Sequence, residues 1–256
     1  MKIVINVPFD KAVYLEGDDK RVGVLLFHAY TGSTRDMNLL ARLLNRQGYT
    51  VLVPQFSGHD TQNIKTVLEY SPNIWRQEAH EAYHWMLLQD YDHLLVFGLS
   101  MGGVMATDII SQKDFKGSGG GIFNAPVVTE EPIDISNSFM HLGKFLASQR
   151  HDTETFMEEF DDILEEHWQQ MKELEIIKRE IASKLTNIHV PFYIAQSGED
   201  ELIDPEDSYL LQDYLVNARI DFHYFPHNTH SIPTNRDRKE FDRSVLDFVK
   251  QVTQPL

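Results

Sequence analysis

The feature that most constrains this chain is an alternation. Short, almost wholly apolar runs are separated by amphipathic stretches of helical length. The runs are Val22–Phe27 (VGVLLF), Thr50–Val53 (TVLV), Leu94–Phe97 (LLVF), Gly120–Phe123, Phe192–Ala195 (FYIA) and Asp221–Phe225. A strand without polar alternation must be covered on both faces. The stretches Asp36–Gln47, Asn73–Gln89, Met101–Gln112, Glu206–Asn217 and Arg238–Gln251 have the period of helices that would cover it. The predicted fold class is therefore α/β, a mostly parallel central sheet flanked by helices. Two further strand-like runs in residues 1–15 suit an antiparallel edge, and 256 residues are enough to bury a core without metal or disulfide staples.

The alternation stops between about Ala125 and Thr186, where no strand pattern occurs. From His151 to Leu185 eleven acids face four bases, and Phe156, Phe160, Ile163, Leu164, Trp168, Met171 and Leu174 recur at steps of mostly three or four. That spacing predicts two amphipathic helices. They suit a solvated pair packed on the core, or an insertion that caps a site and turns some apolar side chains toward a ligand. The expected division is a core of residues 1–125 and 186–256 with a helical cap (lid) over 126–185. An apolar stripe on the cap would serve a homodimer as readily as a lid.

Composition removes several functions. With 39 acidic and 23 basic residues the formal charge is −16, opposite to the basic stripe of a nucleic-acid binder. Zero cysteines exclude thiol catalysis and Cys-based zinc sites. No apolar run reaches the roughly 18 residues of a membrane span, and Met1–Asp10 lacks the apolar segment of a signal peptide. A cytoplasmic protein is expected.

The chemistry concentrates at Gly98-Leu99-Ser100-Met101-Gly102-Gly103, between the run LLVF and a helical pattern. A sharp strand-to-helix turn presents one hydroxyl in a strained conformation and leaves no room for side chains two residues to either side, where glycines stand. The following helix aims its amides at negative charge developing beside Ser100. A serine nucleophile needs a base. Among twelve histidines His230, in Asn228-Thr229-His230, follows the last strand at the carboxyl edge of the sheet, with His227 as rival. His28 suits packing beneath its loop, His59 suits ordering of its own, and His223 lies within a strand.

Strand FYIAQ runs into Ser197-Gly198-Glu199-Asp200-Glu201-Leu202-Ile203-Asp204-Pro205-Glu206-Asp207. Asp204 before Pro205 reads as a helix N-cap with Asp207 in the first turn, Glu199 and Glu201 as solvent-facing. Asp200, just past the strand, is left to orient the imidazole. Oxyanion donors are expected from the Met101 amide and from the loop after the first core strand, best from the Tyr30 amide and less well from its hydroxyl.

These residues together resemble the α/β-hydrolases, specifically bacterial carboxylesterases and monoacylglycerol lipases. The matching pieces are LLFHAYTG, NLLARLLNRQGYTVLVPQFSGHD, GLSMGG, SGEDELIDPEDS and NTHSI, spanning nearly the whole chain. The resemblance implies an α/β-hydrolase fold with an inserted helical cap, nucleophile Ser100, acid Asp200, base His230, oxyanion amides of Tyr30 and Met101, and no metal or organic cofactor. The thirty-residue interval from Asp200 to His230 fits the family. Two segments depart from it. Ala29 stands where glycine is usual, and Asn228-Thr229 replace Ser-Gly before the histidine.

The expected function is hydrolysis of carboxylic esters of short or medium acyl chain, monoacylglycerol included, through an acyl-enzyme on Ser100. Its partner would be a small-molecule ester. The same triad also serves thioesterases, peptidases and acyltransferases. From another class comes a non-catalytic binder of a hydrophobic ligand, which the intact serine, aspartate and histidine oppose.

Overall fold

Each apolar run forms a strand. The computed structural model describes residues 7–19 and 21–254. In order these form β1 (Val13–Leu15), β2 (Val22–Phe27), α1 (Arg35–Asn45), β3 (Thr50–Val53), α2 (Lys65–Leu68), α3 (Pro72–Leu87), β4 (His93–Leu99) and α4 (Met101–Ile110). Next come β5 (Gly119–Phe123), α5 (Ser136–Gln149), α6 (Thr153–Glu158), α7 (Phe160–Ala182), β6 (Phe192–Ser197), α8 (Asp207–Tyr214), β7 (Ile220–Phe225) and α9 (Arg238–Thr253). The seven strands lie in the order β1-β3-β2-β4-β5-β6-β7. β1 pairs antiparallel with β3, and every other pairing is parallel. The first of the two expected N-terminal runs lies outside the described residues; the second contains β1.

Alternate side chains of one strand enter different cores, which is why the runs are apolar throughout. Val22, Val24 and Leu26 pack with Met37, Leu40 and Leu44 of α1 and with Phe241, Val245 and Phe248 of α9. Leu25 and Phe27 face the other layer, with Trp75 of α3 and Met105 and Ile109 of α4. Each such fully buried side chain contributes about 1.5–3 kcal/mol.

Three helices, α5 to α7, separate β5 from β6. α6 and α7 fill the predicted amphipathic stretch. α5 precedes it, and its Gly143 lies against the ring of Phe156, where a Cβ would come within 2.7 Å. A polar clamp fastens α7 to the core. Arg76 of α3 holds the buried Asp108 of α4 through two hydrogen bonds of 2.7 and 2.8 Å, and reaches Glu180 of α7 at 2.7 Å. Burial pushes the Asp108 carboxyl up, but hydrogen bonds from His80 and Arg76 outweigh it and hold the group down at about 2. α8 is shorter than its apolar pattern suggests. It runs from Asp207 to Tyr214 and stops three residues short of Asn217, at Leu215 with ψ 44°; before it the Asp204 carboxylate accepts the Glu206 amide at 3.0 Å. Among the described residues no helix is long and apolar enough to cross a membrane.

Candidate active site

The parallel strands deliver their carboxyl ends to one edge of the sheet, and the loops that follow carry the candidate residues. At the end of β4, Ser100 has φ 54° and ψ −123°, a conformation that L-residues reach only under strain. The glycines around it are required by contact. A Cβ on Gly98 would lie 2.1 Å from the Gly102 carbonyl group, and one on Gly102 would lie 2.5 Å from the carbonyl oxygens of Phe27 and His28. The turn is fixed by the Ser100 amide donating to Phe123 at 2.9 Å and the Gly103 amide donating to Ser100 at 2.8 Å.

His230 is 5% exposed, and its Nδ1 lies 2.9 Å from both carboxylate oxygens of Asp200. Asp200 Oδ1 also accepts the amides of Leu202 at 3.0 Å and Ile203 at 3.2 Å. The carboxylate is an acceptor only, so Nδ1 carries the proton and Nε2 is the basic nitrogen. Nε2 is buried and has no partner among the described residues. Ser100, Met101, Tyr30 and His230 line one cavity of about 230 Å3. Its other walls are mainly apolar, including Phe139 of α5 and Met171 and Leu174 of α7. His227, the rival imidazole, is largely exposed and lies 3.8 Å from Glu199.

Contacts distant in sequence complete the site, and these the sequence reading missed. The His230 backbone is held at both ends: its amide donates to Glu201 Oε2 at 2.9 Å, and its carbonyl accepts from Asn124 Nδ2 at 2.7 Å. Glu201 is therefore not merely solvent-facing, as expected above, but braces the histidine loop. Asn124, with φ 43° directly after β5, also accepts the Ser197 amide and so ties three strand ends together. Its signal was an asparagine closing a strand, a residue type that tolerates the left-handed region.

The loop after β2 is a turn closed by the Gly32 amide on the Ala29 carbonyl at 3.0 Å. Positive φ falls on Thr31 (58°) and not on Ala29, so alanine costs nothing where the family favours glycine. Asp36 Oδ2 accepts the amides of Ala29 and Ser33, a second brace that was not foreseen. Among the described residues neither the Tyr30 nor the Met101 amide donates to a protein acceptor. The Tyr30 hydroxyl does not serve the cavity. It donates to Gln170 Oε1 of α7 at 2.6 Å, which corrects its expected secondary role as an oxyanion donor.

Three histidines are buried neutral. His28 Nε2 accepts the Phe56 amide at 3.0 Å while Nδ1 donates to Ala29, so the ring packs beneath the loop. Burial, with His59 nearby, lowers its pKa to about 3, and burial lowers His59 and His167 to about 4. In the unfolded chain each titrates near 6.5, so unfolding takes up protons between the two values and stability falls as pH drops through that window. At pH 5 the loss is about 2 kcal/mol per histidine. Asp36, Asp207 and Asp242, raised by burial, act in the opposite sense as pH falls. Melts at pH 7 and pH 5 should differ by about 10 °C, the acid sample lower. Equal Tm values would contradict the neutral burial.

The sequence profile described as "Serine aminopeptidase, S33" (Hydrolase_4) matches residues 18–171. A carboxylesterase of Bacillus subtilis (strain 168) is 24% identical over 98% of this chain and 99% of its own length. A thermostable monoacylglycerol lipase of Bacillus sp. (strain H-257) is 38% identical over 33% of each chain. Among solved structures, one from the metagenome-derived lipolytic enzymes LipS and LipT superposes with a TM-score of 0.73 at 21% identity, covering 96% of this chain and 99% of the other. A monoacylglycerol lipase of Paleococcus ferrophilus gives 0.65 at 15% identity, covering 94% and 98%. Sheet order, strained serine turn and profile agree: this chain belongs to the Hydrolase_4 (serine aminopeptidase, S33) family, and is an α/β-hydrolase enzyme of the carboxylesterase and monoacylglycerol lipase group.

Proposed function

We propose that the protein is a serine esterase that cleaves carboxylic esters of short or medium acyl chain through an acyl-enzyme on Ser100. What carries the reading is a buried Asp200–His230 pair, with a basic, unpartnered Nε2, beside a cavity that Ser100 also lines. His230 Nε2 takes the Ser100 proton as Oγ attacks the ester carbonyl, and the Tyr30 and Met101 amides receive the oxyanion. The imidazolium returns that proton to the leaving alcohol. The neutral imidazole so formed then removes a proton from a water that attacks the acyl-enzyme, and returns it to Ser100 Oγ as the acid departs. Each step uses protein groups, side chains and the two backbone amides, together with water. Residues 126–185 act as the cap, their apolar side chains at Phe139, Met171 and Leu174 flanking the acyl chain.

The cavity size sets the expected range. With p-nitrophenyl esters of graded length, kcat/KM should be highest for short or medium acyl chains and fall for longer ones, which outgrow the apolar pocket lined by Phe139, Met171 and Leu174. The family's description names an aminopeptidase, which favours one second reading, a peptidase. Thioester and aminoacyl p-nitroanilide probes belong in the same assay. Turnover confined to the anilide would replace the ester reading with that one.

A further inference from the structure

The oxyanion loop is joined to the inserted helices through one phenol. Tyr30 is 8% exposed, and its hydroxyl meets two side chains of α7, Gln170 Oε1 at 2.6 Å and His167 Nδ1 at 3.0 Å. The direction of each bond follows from the partners. Gln170 gives its amide hydrogens to the carbonyls of Val67 (3.0 Å) and Tyr70 (2.6 Å), so its oxygen must face Tyr30 and the phenol donates to it. The phenol has one proton, hence its oxygen accepts from His167 Nδ1–H. His167 Nε2 then carries a bare lone pair, and it is buried without a partner among the described residues. The ring itself is clamped, stacked on Phe139 at 5.8 Å and edge-on to Trp75 at 5.8 Å.

We infer that His167 and Gln170 are positioning residues for ester hydrolysis. They hold the Tyr30 amide in register with the Met101 amide, so that the oxyanion site is complete only when α7 is seated. This rests on the reading of Tyr30 as an oxyanion donor. The lever is short and stiff. The Tyr30 backbone lies inside the Ala29–Gly32 turn, and its ring tip is fixed to a helix 137 and 140 residues away in sequence. A buried polar network of this kind is costly to leave half-satisfied, so loss of one member shifts the rest. Donors to an oxyanion act only within a narrow distance, and removing one outright costs about 10²–10³ in kcat. A displaced donor costs less, on the order of tenfold.

The test is a double-mutant cycle of Tyr30→Phe and Gln170→Met, with active sites counted by phosphonate titration. Each single variant should lower kcat per titrated site about tenfold with KM within about twofold, and weaken a boronate inhibitor by a similar factor. The double variant should lose no more than either single one, because the Tyr30–Gln170 bond that both break is the link through which each acts on the Tyr30 amide. His167→Asn keeps an N–H at a similar reach and should recover most of the kcat lost in His167→Leu. If these variants lower Tm while kcat per site stays at the wild-type value, the network merely holds the helix down and the inference falls. Failure of the wild-type protein to react with the phosphonate would instead overturn the esterase reading.

Discussion

Replacing Ser100 by alanine should lower kcat toward a chromogenic short-chain ester by at least about 10⁴-fold, with the melting temperature within a few degrees of the original. The activity loss follows from removing the atom that forms the acyl bond. The small effect on stability follows from the local structure. The Ser100 side chain enters no hydrogen bond among the described residues, and alanine meets the same backbone strain at φ 54° as serine does. Residual hydrolysis would come from oxyanion donors and bound water. Retention of more than a few per cent of kcat would reject the mechanism.

Asp200→Asn should cost about 10³–10⁴ in kcat, for a reason visible in the bonding. Asp200 Oδ1 accepts two backbone amides, from Leu202 and Ile203, and an asparagine must keep its oxygen there. Its NH2 group then falls at the Oδ2 position, 2.9 Å from His230 Nδ1. Oδ1 remains 2.9 Å from Nδ1, but it is shared with two amides, and the NH2 beside it favours the tautomer with the proton on Nε2 while the neutral amide no longer stabilises the imidazolium, so the nitrogen meant to accept from Ser100 loses its basic role. Asp204→Asn is the matched control. Asp204 sits in the turn before α8, where its contact is the Glu206 amide, and kcat should stay within about twofold. Equal losses in the two variants would show that general loop damage, not the tautomer, is being measured.

What the sequence revealed and what it hid divide along a physical line. β2, β4 and β6 were legible because burial on both faces leaves no polar alternation, and Ser100 because its turn demands glycines at fixed offsets. Asp200 stood out from its acidic neighbours because Asp204 had a local task at the start of α8. His230 could be separated from His227 only by location, and the structure puts one against Asp200 and leaves the other near the surface. The braces were not legible. Asn124 to His230, Glu201 to His230 and Tyr30 to Gln170 span 106, 29 and 140 residues, and no local pattern marks such pairs.

The central claim is that Ser100 is an activated nucleophile. A fluorophosphonate probe tests it most directly, with adducts located by mass spectrometry of the digested protein. One phosphonylated site at Ser100 is expected, absent in Ser100→Ala and formed far more slowly in His230→Ala. An unmodified wild-type protein, or an adduct on a different residue, would contradict the account.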